Sequence, residues 1–122
     1  MKAILEGAWD SNQSWALYQD TKMPDVKLCT AVYCLAILPD TKQVVLTRNN
    51  RGWEMLGGHI EPGETIEEAM VRECIEEGGF TPETYALFGY RKITAKTPVP
   101  HNQKQKYLLS ISTRLYPAFY CN

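Results

Sequence analysis

Residues 27–38, KLCTAVYCLAIL, constrain the fold more than any other stretch, because they are apolar at odd and even positions alike. A strand with one wet face alternates, whereas a strand apolar on both faces belongs inside a layered sheet, covered on both sides. The run is broken by Thr30 and is well short of the roughly 20 residues that span a bilayer, so protein must cover it. A turn over residues 39–42 leads to QVVLTR (43–48), expected to pair back on it as a hairpin. QSWALYQD (13–20) reads as an edge strand, and residues 84–96 as a further strand. Residues 97–103 read as a loop, and the alternation over 104–116 as a half-buried strand. One helix lies among these strands. Thr65 and Glu68 form a capping box at its start, and Gly78-Gly79 supplies the stop. The pattern predicts an α/β domain, a mixed sheet with helix on at least one face. Its 122 residues, without repeat or linker, fit one domain over 1–122 with a modest core.

The net charge of −1 gives no electrostatic basis for nucleic-acid or membrane binding, and neither partner is expected. The N-terminus has no sustained apolar stretch of a secretory signal, which favours the cytoplasm. The four cysteines fit that compartment and are expected to be unlinked packing or surface thiols; Cys29 and Cys34 should face opposite sides of their strand.

The charge is local rather than global: seven of the fourteen acidic residues lie between Glu61 and Glu77. Glu67 and Glu68 suit the positive N-terminal end of the helix. Glu73, Glu76 and Glu77 do not, since like charges crowd the negative C-terminal end. At about 100° per residue, Met70, Glu73 and Glu77 fall within about 40° of Ile66, and Glu76 about 80° to one side. The carboxylates thus continue an apolar, inward-facing stripe. Such a cluster is tolerable where divalent cations neutralise it, and an all-oxygen set suits Mg²⁺ or Mn²⁺, which arrive with phosphates. Gly57-Gly58 just ahead lets the backbone approach a ligand closely.

Residues 58–80, GHIEPGETIEEAMVRECIEEGGF, resemble the signature of the Nudix hydrolases. Gly58, Glu64, Arg72, Glu73, Glu76, Glu77 and Gly79 stand in register with it, while Cys74 and Phe80 replace aliphatic residues. A looser likeness runs from about residue 27 to 116. The resemblance implies an α/β/α sandwich with the loop–helix–loop against a mixed β-sheet, although no sequence for a C-terminal helix is evident. It implies metal-dependent cleavage of a diphosphate linkage in a nucleoside diphosphate derivative. Glu73, Glu77 and Glu76 would hold Mg²⁺ (or Mn²⁺) with the Gly58 carbonyl, and Arg72 would orient the carboxylates through Glu64. The general base would be one of the three glutamates or a loop residue. The short chain looks most like members acting on nucleoside triphosphates, oxidised ones included. The alternatives are an ADP-ribose or other nucleotide-sugar pyrophosphatase, and a domain that binds nucleotide or RNA without cleaving it. Trp53, His59, Arg48 and Gly57 are candidate substrate contacts; Arg51, Arg91, Lys92 and His101, and an aromatic face of Tyr85, Phe88 and Tyr90, are weaker ones. The sequence does not set the oligomeric state, and a homodimer is compatible with it.

Overall fold

The structure is a computed structural model that describes residues 2–97 and 113–121. Within them the strands are β1 (Leu5–Ala8), β2 (Gln13–Gln19), β3 (Ala31–Ile37), β4 (Val44–Val45), β5 (Thr47–Asn49), β6 (Gly52–Glu54), β7 (Leu56–His59), β8 (Tyr85–Ala95) and β9 (Thr113–Cys121). Helix α1 (Ile66–Glu73) lies between β7 and β8 and runs into a π-helical turn, Cys74–Gly78. The main sheet has the order β1-β2-β8-β9-β3-β4, with β7 also paired to β3; β5 and β6 form a separate ribbon. Strands β3 and β9 are parallel and the other pairs antiparallel, so the sheet is mixed as expected.

β3 is the interior strand that its composition demands. Val32, Cys34 and Ala36 are buried on one face, where they meet Leu56 of β7, Phe119 and Cys121 of β9, and Ile66, Ala69, Met70 and Cys74 of the helix and its turn. Tyr33, Leu35 and Ile37 point the other way and are half-buried. Among the described residues α1 is the one α-helix, so the second helical layer of the expected sandwich is not among them.

Three expectations are corrected, and a fourth, the last strand, is extended. Strand β2 is not an edge, because β1 pairs outside it and β8 inside it. Residues 43–48 form two strands: β4 follows β3, while β5 leaves the sheet to pair with β6, with Arg48 opposite Trp53. The strand expected over 104–116 falls mostly outside the described residues, and β9 runs through Pro117 to Cys121. Pro117 sits opposite Tyr90, beside the bulge at Phe88 of β8, the kind of position where a strand tolerates a residue without an N–H. Finally, Cys34 and Cys121 are linked as a disulfide. Parallel pairing sets Cys34 against Phe119 and Ala36 against Cys121, which puts the two cysteines diagonally adjacent with Cα atoms 6.6 Å apart. Cys29 and Cys74 are free, as expected.

Candidate active site

The site is built where β7 delivers two glycines against the last turn of α1. The helix starts as its sequence dictates: Thr65 Oγ1 accepts from the Glu68 N–H and Glu68 Oε1 from the Thr65 N–H, both at 3.1 Å. Ile66, Ala69, Met70 and Glu73 then face inward and are buried. After Glu73 the winding loosens into the π turn, closed by Gly79 in the left-handed conformation (φ 73°), whose N–H donates to the carbonyls of Cys74 and Ile75. A π turn advances less per residue than the 100° of an α-helix, which swings Glu76 outward; its side chain is 56% exposed. Cys74 and Phe80, which depart from the family signature, both pack on the core.

Arg72 organises the carboxylates. Its Nε and Nη2 donate to the two oxygens of Glu64 at 2.8 and 2.9 Å, a fork-on-fork pair. Nη1 donates to Glu73 Oε1 at 2.8 Å and Glu76 Oε2 at 3.1 Å, and Nη2 also to the His59 carbonyl at 2.9 Å. Glu61, which the sequence reading did not single out, adds a fourth carboxylate 3.8 Å from Nη1. Its N–H donates to Glu64 Oε1 at 2.8 Å, and the only signal for it was the E-x-x-E spacing across the Pro62-Gly63 turn. Glu64 is therefore held below its ordinary carboxyl pKa, chiefly by the Arg72 hydrogen bonds. Glu73 moves the other way. Its burial raises the pKa, Arg72 opposes that, and the charges of Glu77 and Glu76 add to it.

The glycines fit between these groups because they lack side chains. A Cβ on Gly58 would collide with the Glu73 carboxylate, and one on Gly57 with the Val32 carbonyl and the Tyr33 ring. The Gly57 N–H donates to Glu77 Oε1 at 2.9 Å, which ties the exposed Glu77 to the turn. Gly57, Gly58, Glu64, Arg72, Glu73, Glu76 and Glu77 are thus one constellation, as their spacing implies. The donor set suits a hard divalent cation. One oxygen each of Glu73, Glu76 and Glu77 is bonded to protein, and the other takes no hydrogen bond among the described residues. One guanidinium also cannot balance four carboxylates.

The weaker candidates lie apart from this cluster. Arg48 stacks on the Trp53 ring at 5.6 Å on the β5–β6 ribbon, where Trp53 is 66% exposed. The His59 side chain is exposed, and its backbone serves Arg72. Arg51 pairs with Glu54 at 3.1 Å. Arg91 stands on the other face of the sheet, 5.6 Å from the rings of both Trp9 and Tyr33. Tyr85 donates to Glu67 at 2.7 Å, and Tyr90 lies 5.4 Å from Tyr18, so the three aromatics of β8 do not form one stacking face. His101 lies outside the described residues.

Comparison with known proteins agrees with this geometry. A family profile described as the NUDIX domain matches residues 27–116. An 8-oxo-dGTP diphosphatase of Escherichia coli is 57% identical over 35 residues, 29% of this chain and 27% of that protein. An ADP-ribose pyrophosphatase of Methanocaldococcus jannaschii is 33% identical over 76 residues, 59% of this chain and 45% of that protein. The matched stretch thus spans less than half the length of either relative. Among solved structures, a pyrophosphohydrolase of Bacillus subtilis superposes with a TM-score of 0.65 at 20% identity, over 97% of this chain and 65% of that one, a likeness of fold.

Proposed function

The chain belongs to the Nudix family, and on that premise we propose that it hydrolyses a diphosphate linkage in a nucleoside diphosphate derivative, with nucleoside triphosphates, oxidised ones included, as the leading substrates. The observation that carries this reading is that Glu73 and Glu76, held by Arg72, and Glu77, held by the Gly57 N–H, each keep one oxygen without a hydrogen bond among the described residues. Those three carboxylates and the Gly58 carbonyl would hold Mg²⁺, or Mn²⁺ in its place. When bound, the cation offsets the charge of the diphosphate and makes water easier to deprotonate.

The chain's own residues do the rest. Arg72 and Glu64 fix the orientation of Glu73, with two charge-assisted bonds from one guanidinium edge to Glu64 and a third to Glu73. The Gly57 N–H fixes Glu77 in the same way. The general base would be Glu73, Glu76 or Glu77, or a loop residue, and it would take the proton of the water that attacks phosphorus. Trp53, exposed beside Arg48 on the ribbon that leads into β7, offers a stacking surface for a base, with the Arg48 cation at hand for a phosphate. The cytoplasm, where such nucleotides are made and used, is the compartment we propose for it.

The runner-up substrate is ADP-ribose, favoured by the longer match to the archaeal relative. The products decide. Purified protein with Mg²⁺ should convert a nucleoside triphosphate to monophosphate and diphosphate, whereas ADP-ribose would yield AMP and ribose 5-phosphate. Glu77→Gln should abolish most of either reaction with the fold intact. Tight nucleotide binding without hydrolysis of any substrate in such a panel would instead identify a binding domain.

A further inference from the structure

Three cysteine sulfurs meet in the core directly beneath the acidic turn. The Sγ atoms of Cys34 in β3, Cys121 in β9 and Cys74, the first residue of the π turn, all lie within 4.8 Å of one another, and all three residues are buried. Cys34 and Cys121 form the disulfide, and the Cys74 thiol lies 3.9 Å from Cys121 Sγ. Met70 Sδ is on its other side at 3.8 Å. A single buried thiol is ordinary core filler. A third thiol in contact with a disulfide differs, because it has a reaction partner already in place.

We propose that Cys74 is a disulfide-exchange site: it exchanges with the Cys34–Cys121 disulfide to give a Cys74–Cys121 disulfide that ties the acidic turn to β9 and regulates the site the turn carries. In the exchange Cys74 gives up its thiol proton and its sulfur attacks Cys121 Sγ. The Cys74–Cys121 bond forms as the Cys34–Cys121 bond breaks, and Cys34 leaves as a thiolate that takes the proton. Nothing is oxidised or reduced overall, so no outside reactant is needed.

The consequence for the site follows from position. Bringing a contact of 3.9 Å to a disulfide length of about 2.05 Å requires a movement of about 2 Å, shared between β9 and the turn. β9 is held on both sides by β3 and β8, so the turn is the softer partner. The Cys74 carbonyl accepts the Gly79 N–H that closes that turn, Glu73 precedes it, and Glu76 and Glu77 ride on it. A shift of about 1 Å in a positioned catalytic group can cost about a hundredfold in rate. The regulatory half of this proposal rests on the hydrolase reading, while the exchange itself rests on sulfur geometry alone.

Disulfide mapping tests the two halves separately. The whole protein is held for hours at mildly alkaline pH, the range of uncatalysed disulfide rearrangement. It is then alkylated, digested without reduction and read by mass spectrometry, with Cys29 as the thiol that should be alkylated in every sample. Wild type should show both Cys34–Cys121 and Cys74–Cys121 linkages. Cys34→Ser, oxidised with glutathione disulfide, should show Cys74–Cys121, and Cys74→Ser only Cys34–Cys121. If Cys74 is found alkylated throughout, in wild type and in Cys34→Ser alike, the proposal is overturned, and the wild-type result needs no variant to fold. Hydrolysis by oxidised Cys34→Ser should be tenfold to a hundredfold slower than by the same protein reduced. Equal turnover would remove the regulatory half. Absence of hydrolysis in every form would instead count against the hydrolase reading and leave the disulfide map to decide the exchange.

Discussion

Arg72→Met is the substitution that most directly tests how the site is held together. Arg72, Glu64 and Glu73 keep only 22, 16 and 12% of their side-chain surface exposed, so these pairs are screened far less than surface ion pairs. Removing the guanidinium strips the Glu64 and Glu73 carboxylates of the cation that bonds them both and takes one donor from the His59 carbonyl. Breaking a buried pair costs about 3–5 kcal/mol, and the residual exposure puts this case near the lower end. A loss of about 3 kcal/mol would be a large share of the roughly 5–15 kcal/mol total for a domain of this kind. It should appear as a fall in Tm of about 10 °C or more. Arg72→Lys should lose about half as much, because an ammonium is a point charge that cannot grip Glu64 with two parallel bonds.

Urea unfolding at neutral pH, with and without Mg²⁺, measures the effect, and acid should partly rescue the methionine variant. Burial already raises the Glu73 pKa, and without Arg72 nothing opposes that rise, so mild acid protonates and neutralises the stranded carboxylate. A variant within about 1 kcal/mol of wild type at neutral pH, with no gain on acidification, would refute the idea that Arg72 is the electrostatic keystone; a real buried pair could not be removed so cheaply.

Saturating Mg²⁺ should raise wild-type Tm, by an amount equivalent to about 2.7 kcal/mol at a hundred times Kd, and an unmoved Tm would contradict the metal site. Gly58→Ala sets a methyl against the Glu73 carboxylate, so Mg²⁺ titration should show at least tenfold weaker binding while far-UV circular dichroism stays native. Glu64 has a folded pKa below its ordinary 4.5, so its contribution to stability is complete above that pH and is lost as pH falls through the lowered value. Acid-unfolding curves of Glu64→Gln should start from a lower stability at neutral pH and fall less steeply in acid. Glu73 has the opposite sign: its raised pKa makes the charged form a cost above the folded pKa, so metal-free Glu73→Gln should be at least as stable as wild type at neutral pH by calorimetry, yet inactive. Trp53→Ala removes an exposed ring that stabilises little, and steady-state kinetics should show a raised KM with Tm unchanged.

What could be read from the sequence divides along the range of the interactions involved. The capping box and the inward stripe of Ile66, Met70 and Glu73 depend on residues within eight positions of one another, where spacing on a helix is geometry, while the grip of Arg72 on Glu64 was implied by the family resemblance. The interior strand β3 was legible because burial on both faces leaves a compositional trace. What stayed hidden needed pairing partners far along the chain. Nothing local reveals that β9 runs parallel to β3 rather than antiparallel. The disulfide between Cys34 and Cys121, 87 residues apart, follows only from that register. Pro117, just past the strand expected to end at residue 116, lies inside β9 opposite Tyr90, beside a bulge in a distant strand. Arg48 and Trp53 came together only once β5 was seen to leave the sheet for β6.

The π turn joins the two kinds of information. From the sequence, three glutamates at the C-terminal end of a helix were a cost in search of a cause, and an ideal helix would have stacked two of them on the stripe. The loosened winding keeps Glu73 buried in the grip of Arg72, turns Glu76 toward solvent, and leaves Glu77 to be caught by the Gly57 N–H. The three carboxylates therefore meet different environments although they are neighbours in sequence. One has its proton affinity raised by burial, one shares Arg72 at an exposed edge, and one is fixed by a backbone donor from another strand. Inequality of this kind lets a cluster of identical side chains divide the work of holding a cation and moving a proton. It also makes the turn sensitive to whatever its first residue is bonded to, and that residue is Cys74.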